Sequence, residues 1–293
     1  MYELLRETRL IGCTADRRSF AWVDRGIRVY LLETHGLTVD SRWLKQLVSA
    51  PHARRAPQVT FQLAGAITNL RYSTESELLD GFFEIEPSLE WAEIWSGRSF
   101  RALVLEWNAD WGSLPASLSL SKMDPSMFAA AQAVALAILQ RNRREVVESL
   151  AVLYSRLRAF GLDLAPWSAN RLTIPDPKHL GVTRVLNELR TNLAGQAGWL
   201  DGATVGGKSE RQLRRDLNDF YRSLDHVPES FRRRLLNDRL SAAVSLLSSK
   251  EPSIERVARS VGYGSSRALS LALRSAGLPP PSEIVAHARR LRG

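Results

Sequence analysis

The sequence predicts an α+β chain: a β-rich amino-terminal domain, a barrel or a sandwich with two trailing helices, followed by an all-α carboxy-terminal domain of two helix-turn-helix units. Three observations lead there. Runs of β-branched and aromatic residues punctuated by Gly, Pro and Asp fill the first third of the chain. Helical apolar periodicity takes over from about residue 125. Finally, residues 1–177 hold 20 basic and 20 acidic side chains, so the whole net charge of +9 falls in residues 178–293.

The 293 residues, 44% hydrophobic and 24% charged, have globular composition and exceed one ordinary domain. The order expected is a β-rich domain over 1–162 with helices at about 125–160, a connection over 163–177, and an all-α domain over 178–293. The amino terminus lacks the apolar core of a signal peptide, and no apolar run is long enough to span a bilayer, so a cytoplasmic protein without membrane attachment is expected. The single cysteine, Cys13, excludes an internal disulfide and a structural zinc site. It reads as a buried thiol or as a redox sensor.

The strand candidates are 27–32, 59–63, 82–85 and 100–107. Trp22, Trp43, Trp91, Trp95, Trp107 and Trp111 fall in this half and either fill its core or line a pocket. A first helix is expected over 126–140, with Asp124 as cap, Pro125 in the first turn and Met127, Ala130, Ala131, Val134 and Ile138 on one face. A second, over 143–160, spaces Val146, Leu150, Leu153, Leu157 and Phe160 by 4, 3, 4 and 3, with Gly161 closing it. That seam can pack on its own domain or on a second copy, making Val146, Leu150, Leu153 and Leu157 the candidate dimerisation residues.

The clearer helix-turn-helix unit spans about 253–276. Ser253 caps a helix with Ile254, Val257, Ala258 and Val261 on its apolar face, and Gly262 supplies the turn. A second helix buries Leu269, Ala272 and Leu273 and leaves Ser265, Ser266, Arg267, Ser270 and Arg274 as candidate DNA contacts. The other unit, about 197–220, repeats the plan with Trp199, Ala203 and Gly207, then Ser209 capping a helix that buries Leu213, Leu217 and Phe220. Ser209, Arg211, Gln212, Arg214, Arg215 and Asn218 form its outer face. Arginine there matters because its guanidinium fork can pair two acceptors of one guanine.

Between the units, a helix over about 229–248 keeps Phe231, Leu235, Leu236, Leu240, Val244 and Leu247 apolar. Its expected length of roughly 30 Å approaches the spacing of about 34 Å between successive major grooves. Arg232, Arg233 and Arg234 at its start suit phosphates, which position without specifying bases.

These residues resemble the AraC/XylS family of bacterial transcription regulators over about the last 115 positions. The matching elements are Ile254, Val257, Ala258, Gly262 and Tyr263, then Leu269, Ser270 and Leu273, then Gly277, Pro281, Ser282, Glu283 and Ile284. Arg239, Leu240, Ala243, Leu246 and Leu247 resemble the family's linking helix. The resemblance implies a sequence-specific regulator of double-stranded DNA, with its amino-terminal domain, a cupin-like barrel followed by helices, answering to a small-molecule effector or a regulatory protein. RNA polymerase and a second copy of the chain are further expected partners. Departures are Gly202 and Gly206 at apolar positions of the first unit, and Leu271 where the family often has arginine. By these, the first unit is expected to carry most base discrimination and the second mainly shape and phosphate contacts.

No cofactor or metal is implied. His35 and His52, 17 positions apart, do not form the His and Glu cluster of a metal-binding cupin. A DNA-modifying or repair enzyme carrying such a module would need a nucleophile, base or metal cluster, and the residues around Cys13 supply none, so a non-enzyme is expected. A co-regulator acting through protein contacts is the other alternative.

Overall fold

The computed structural model describes residues 2–9, 16–24, 27–40, 43–44, 47, 57–65, 67–71, 74–78, 81–86, 92–95, 99–107, 112–114, 119–165, 176–191, 193, 207–224 and 230–292. The strands are β1 (Tyr2–Arg9), β2 (Asp16–Asp24), β3 (Ile27–His35), β4 (Val39–Asp40), β5 (Gln58–Ala64), β6 (Ile67–Arg71), β7 (Thr74–Leu78), β8 (Phe82–Glu86), β9 (Ala92–Trp95), β10 (Phe100–Trp107), β11 (Gly112–Ser113), β12 (Ser119–Lys122) and β13 (Asp163–Leu164). A seven-stranded sheet runs in the order β1-β2-β3-β10-β5-β8-β12, and a four-stranded one in the order β4-β9-β6-β7. The α+β order read from the sequence is the architecture observed.

Along the central strands the period of two separates two faces. Ile27, Val29 and Leu31 of β3, Val59, Phe61 and Leu63 of β5, Phe83 and Ile85 of β8, and Leu103, Leu105 and Trp107 of β10 form one core cluster. It is closed by two helices, α1 (Pro125–Leu139) and α2 (Arg143–Ala159). Asp124 caps α1 as expected, accepting from the N–H groups of Ser126 and Met127 at 2.8 and 2.9 Å. The Ser126 hydroxyl, followed by those amides, holds its carboxyl below the ordinary aspartate range. Gly161, at φ +105°, takes the left-handed turn that ends α2.

The α2 seam corrects one expectation. Val146, Leu150, Leu153 and Leu157 are 0% exposed, in the same cluster as the sheet. A heptad-like spacing reports an apolar face, and here the chain's own strands cover it. The four residues assigned to dimerisation are therefore not a surface that a second copy can use. At the start of the expected connection, Asp163 and Leu164 pair with β11; residues 166–175 lie outside the described residues.

Among the described residues, the carboxy-terminal part holds α3 (Pro177–Thr191), α4 (Glu210–Ser223), α5 (Phe231–Leu247), α6 (Ile254–Ser260), α7 (Ser266–Ser275) and α8 (Pro281–Arg290). α5 is capped by Ser230, and its 17 residues span about 26 Å, shorter than the sequence suggests. Every residue from Leu240 to Ser249 is buried. The buried hydroxyls are satisfied within the helix, Ser245 donating to the Ser241 carbonyl at 3.0 Å and Ser248 to that of Val244 at 2.7 Å.

The carboxy-terminal half of α5 is buried all round because the sheet covers it on one side. Leu32, Leu37, Val39, Phe100 and Ala102 share one cluster with Leu240, Val244 and Leu247 of α5, Val257 and Ala258 of α6, Leu269 and Leu273 of α7, and Ile284 of α8. The backbone joins too: the Thr38 N–H donates to the Ser248 carbonyl at 3.1 Å, and Leu37 bridges Ser249. Nearby, His287 lies 3.1 Å from the fully buried Asp40 carboxylate, with its ring 4.9 Å from that of Trp43. A separate cluster places Val23 of β2 against Val182, Val185 and Leu186 of α3 and Leu213, Leu217 and Phe220 of α4.

Candidate nucleic-acid interface

The second unit is built by local chemistry. The Ser253 hydroxyl accepts from the Arg256 N–H at 3.4 Å, and α6 then buries Val257 and Ala258. After the Val261 cap, the Gly262 N–H donates to the Arg259 carbonyl at 3.1 Å and that of Tyr263 to the Ala258 carbonyl at 2.8 Å. This pair of bonds requires a left-handed residue between helix and turn, supplied by Gly262 at φ +86°. A Cβ there would lie 2.6 Å from the Leu193 carbonyl oxygen. Glycine is thus needed for both conformation and space.

α7 begins at Ser265, whose hydroxyl accepts from the Ala268 N–H at 3.2 Å. One contact the sequence did not disclose fixes α7 against α6: Glu255 accepts from the Ser266 N–H at 3.1 Å and pairs with Arg259 at 3.2 Å. The Ser266 amide, then its hydroxyl, holds the Glu255 carboxyl below the usual glutamate range. Leu269 and Leu273 are fully buried, so the opposite ridge of α7 faces outward. Arg267 and Arg274 are exposed there, while Ser265, Ser266 and Ser270 are half-buried.

In the first unit, Ser209 caps α4 by accepting from the Gln212 N–H at 3.2 Å. Leu213, Asp216, Leu217, Phe220 and Tyr221 are buried, leaving Arg211, Gln212, Arg214, Arg215 and Asn218 exposed. The Lys208 ammonium pairs with the buried Asp216 carboxylate and also reaches the Lys178 carbonyl at 3.2 Å, pinning α4 to the start of α3. His179, buried against Phe220, adds a contact of 3.2 Å to Asp219. The expected supporting helix around Trp199, Gly202, Ala203 and Gly206 lies outside the described residues.

The outer arginines of α4 are pre-positioned. Arg214 lies 2.5 Å from Glu210, and Arg215 donates to the Gln212 side-chain oxygen at 3.0 Å. Exposed pairs of this kind are worth at most about 1 kcal/mol, so a phosphate or a guanine can take over the guanidinium. Arg232 and Arg233 stand exposed in the first turn of α5. Arg234 departs from them, turning inward to the buried Asp238 carboxylate at 3.3 Å.

The other face of the sheet carries a second feature that the strand patterns did not reveal. Gln58, Thr60 and Gln62 of β5, Glu84 of β8 and Glu106 of β10 are all buried there. Glu106 is satisfied by Arg28 and by the Tyr30 hydroxyl, each at 3.1 Å. The side-chain oxygens of Gln58 and Gln62 and the hydroxyl of Thr34 have no hydrogen-bond partner among the described residues. Each such group costs about 1–3 kcal/mol unless a donor meets it, which in solution means water or a hydrogen-bonding ligand. Among the described residues, no group of three or more His, Cys, Asp or Glu could hold a metal ion, and no helix is long and apolar enough to cross a membrane.

No protein-family model and no curated protein matches the chain. Solved structures similar to it include ToxT from Vibrio cholerae, 13% identical over 89% of this chain and 98% of that one, with a TM-score of 0.35. Unsaturated fatty acid-bound ToxT from the same organism is 10% identical, covering 97% of this chain and 94% of that one at a TM-score of 0.32. A DNA-binding transcriptional dual regulator from Escherichia coli K-12 is 24% identical over 40% of this chain and 98% of that one, at 0.33.

Proposed function

We propose that this chain is a sequence-specific, DNA-binding transcription regulator that presents α4 and α7 to successive major grooves, with α5 between them. The observation that carries this reading is the matched construction of the two helices. Each starts at a serine cap, buries leucines at helical spacing and turns exposed arginines outward. Arg211, Arg214, Arg215, Gln212 and Asn218 are the base-reading candidates on α4, and Arg232 and Arg233 contact phosphate. The concentration of positive charge beyond residue 177 supplies the counterion-release attraction that any such protein needs.

Control enters through the amino-terminal sheet, by a small molecule or a protein partner. The cluster joining Leu32, Leu37 and Phe100 to α5 and α7 supports this, because any change in packing of those strands is felt at a reading helix. The decisive experiment selects bound duplexes from random-sequence DNA and titrates mobility shifts across salt. Arg211→Ala and Arg215→Ala are expected to weaken specific binding by about 1–3 kcal/mol each with the fold intact. Parental affinity in both variants, or no specific duplex at all, overturns the assignment.

A further inference from the structure

We propose that Leu271 reads the C5 methyl group of a thymine, giving the second reading helix a direct base contact of its own; the proposal rests on the DNA-binding reading above. Leu271 is 55% exposed, although Leu269 and Leu273 on either side of it are fully buried. It contributes nothing to the core that α7 builds, and as a lone apolar group it is poorly placed in water. Among the described residues the other exposed large hydrophobics are Leu136, Val152, Phe160 and Leu180, none of them on a reading helix.

Leu271 lies four residues after Arg267 and three before Arg274, both exposed, so the outer ridge of α7 reads arginine, leucine, arginine. Residues at these spacings share one helix face. Two flanking guanidiniums suit a polyanion and do not suit an apolar protein partner. In a major groove, the group that rewards an apolar side chain is the thymine methyl, since every other base edge offers hydrogen-bond donors or acceptors that leucine cannot meet.

The test uses the full chain and the duplex it selects from random DNA. Each thymine is replaced singly by deoxyuridine, which removes the methyl and leaves the hydrogen-bonding edge unchanged. One position is expected at which the parent loses about four-fold in affinity, the worth of one buried methyl-sized group. Leu271→Ala should bind the thymine and uracil duplexes equally there, whereas Arg211→Ala should keep the four-fold difference while binding both more weakly. Leu271→Gln, which keeps the side chain's length, should also lose the discrimination, and circular dichroism reports whether each variant is folded. Discrimination retained by both Leu271 variants, or a parent indifferent to every thymine methyl, overturns the proposal and leaves the regulator reading standing. Selection of no duplex at all removes the regulator reading first, and this inference with it.

Discussion

Truncating Leu37 to alanine tests whether the amino-terminal sheet and the helices α5 to α7 are one energetic body. Leu37 is 0% exposed, in the cluster that holds Leu240, Val244 and Leu247, and its backbone bridges Ser249. The substitution removes three carbons, roughly 2.4 kcal/mol of transfer free energy at about 0.8 kcal/mol each, and the cavity left behind brings the expected cost to about 3 kcal/mol. The backbone hydrogen bond from Thr38 to Ser248 stays in place. Native-state hydrogen exchange read by mass spectrometry gives the effect region by region. Amides of α5 and α7 should exchange about a hundredfold faster, the factor that about 3 kcal/mol represents. The reference is Leu150→Ala, an equally buried change in the core against α2, where the loss should centre on α1, α2 and the strands they cover. If Leu37→Ala loosens the strands and leaves α5 and α7 protected as in the parent, the shared cluster does not couple the two parts.

Two further outcomes follow from the helix-turn-helix geometry. The Glu255 carboxyl titrates below its ordinary value because the Ser266 N–H bonds its charged form. Its stabilisation is therefore fully present above the unfolded pKa of about 4.3 and is lost as pH falls through the lower folded value. Urea melts should show Glu255→Gln less stable than the parent at neutral pH, with the gap closing below about pH 4, and a gap constant with pH would refute the role of the charge. Gly262→Ala places a Cβ 2.6 Å from the Leu193 carbonyl oxygen at φ +86°. It should cost at least about 2 kcal/mol in equilibrium unfolding, and a loss below about 0.5 kcal/mol would mean that the turn relaxes freely.

The caps and turns were legible in the sequence because they are made within a few residues. Asp124, Ser209 and Ser253 each accept an amide two or three positions on, and Gly262 bends the chain where its own helix ends. The outward arginines of α4 and α7 followed from the same short-range rule, since burying Leu213, Leu217, Leu269 and Leu273 turns the opposite ridge to solvent.

What covers an apolar face is decided by groups distant in sequence, and periodicity carries no record of them. The α2 seam has the spacing of a dimer interface, yet its own sheet fills it. Ser241 and Ser245 on α5 are buried although polar, and Leu240, Val244 and Leu247 beside them share a cluster with Leu32, Leu37 and Val39, some 200 positions earlier. His287 and Asp40 meet across 247 residues, a pairing that only the closed chain brings about. Local composition determined where helices start, stop and expose charge; tertiary packing decided that strands of the β-rich half share clusters with α4 and with α7, because burial depends on three-dimensional neighbours and sequence pattern specifies only the face offered to them.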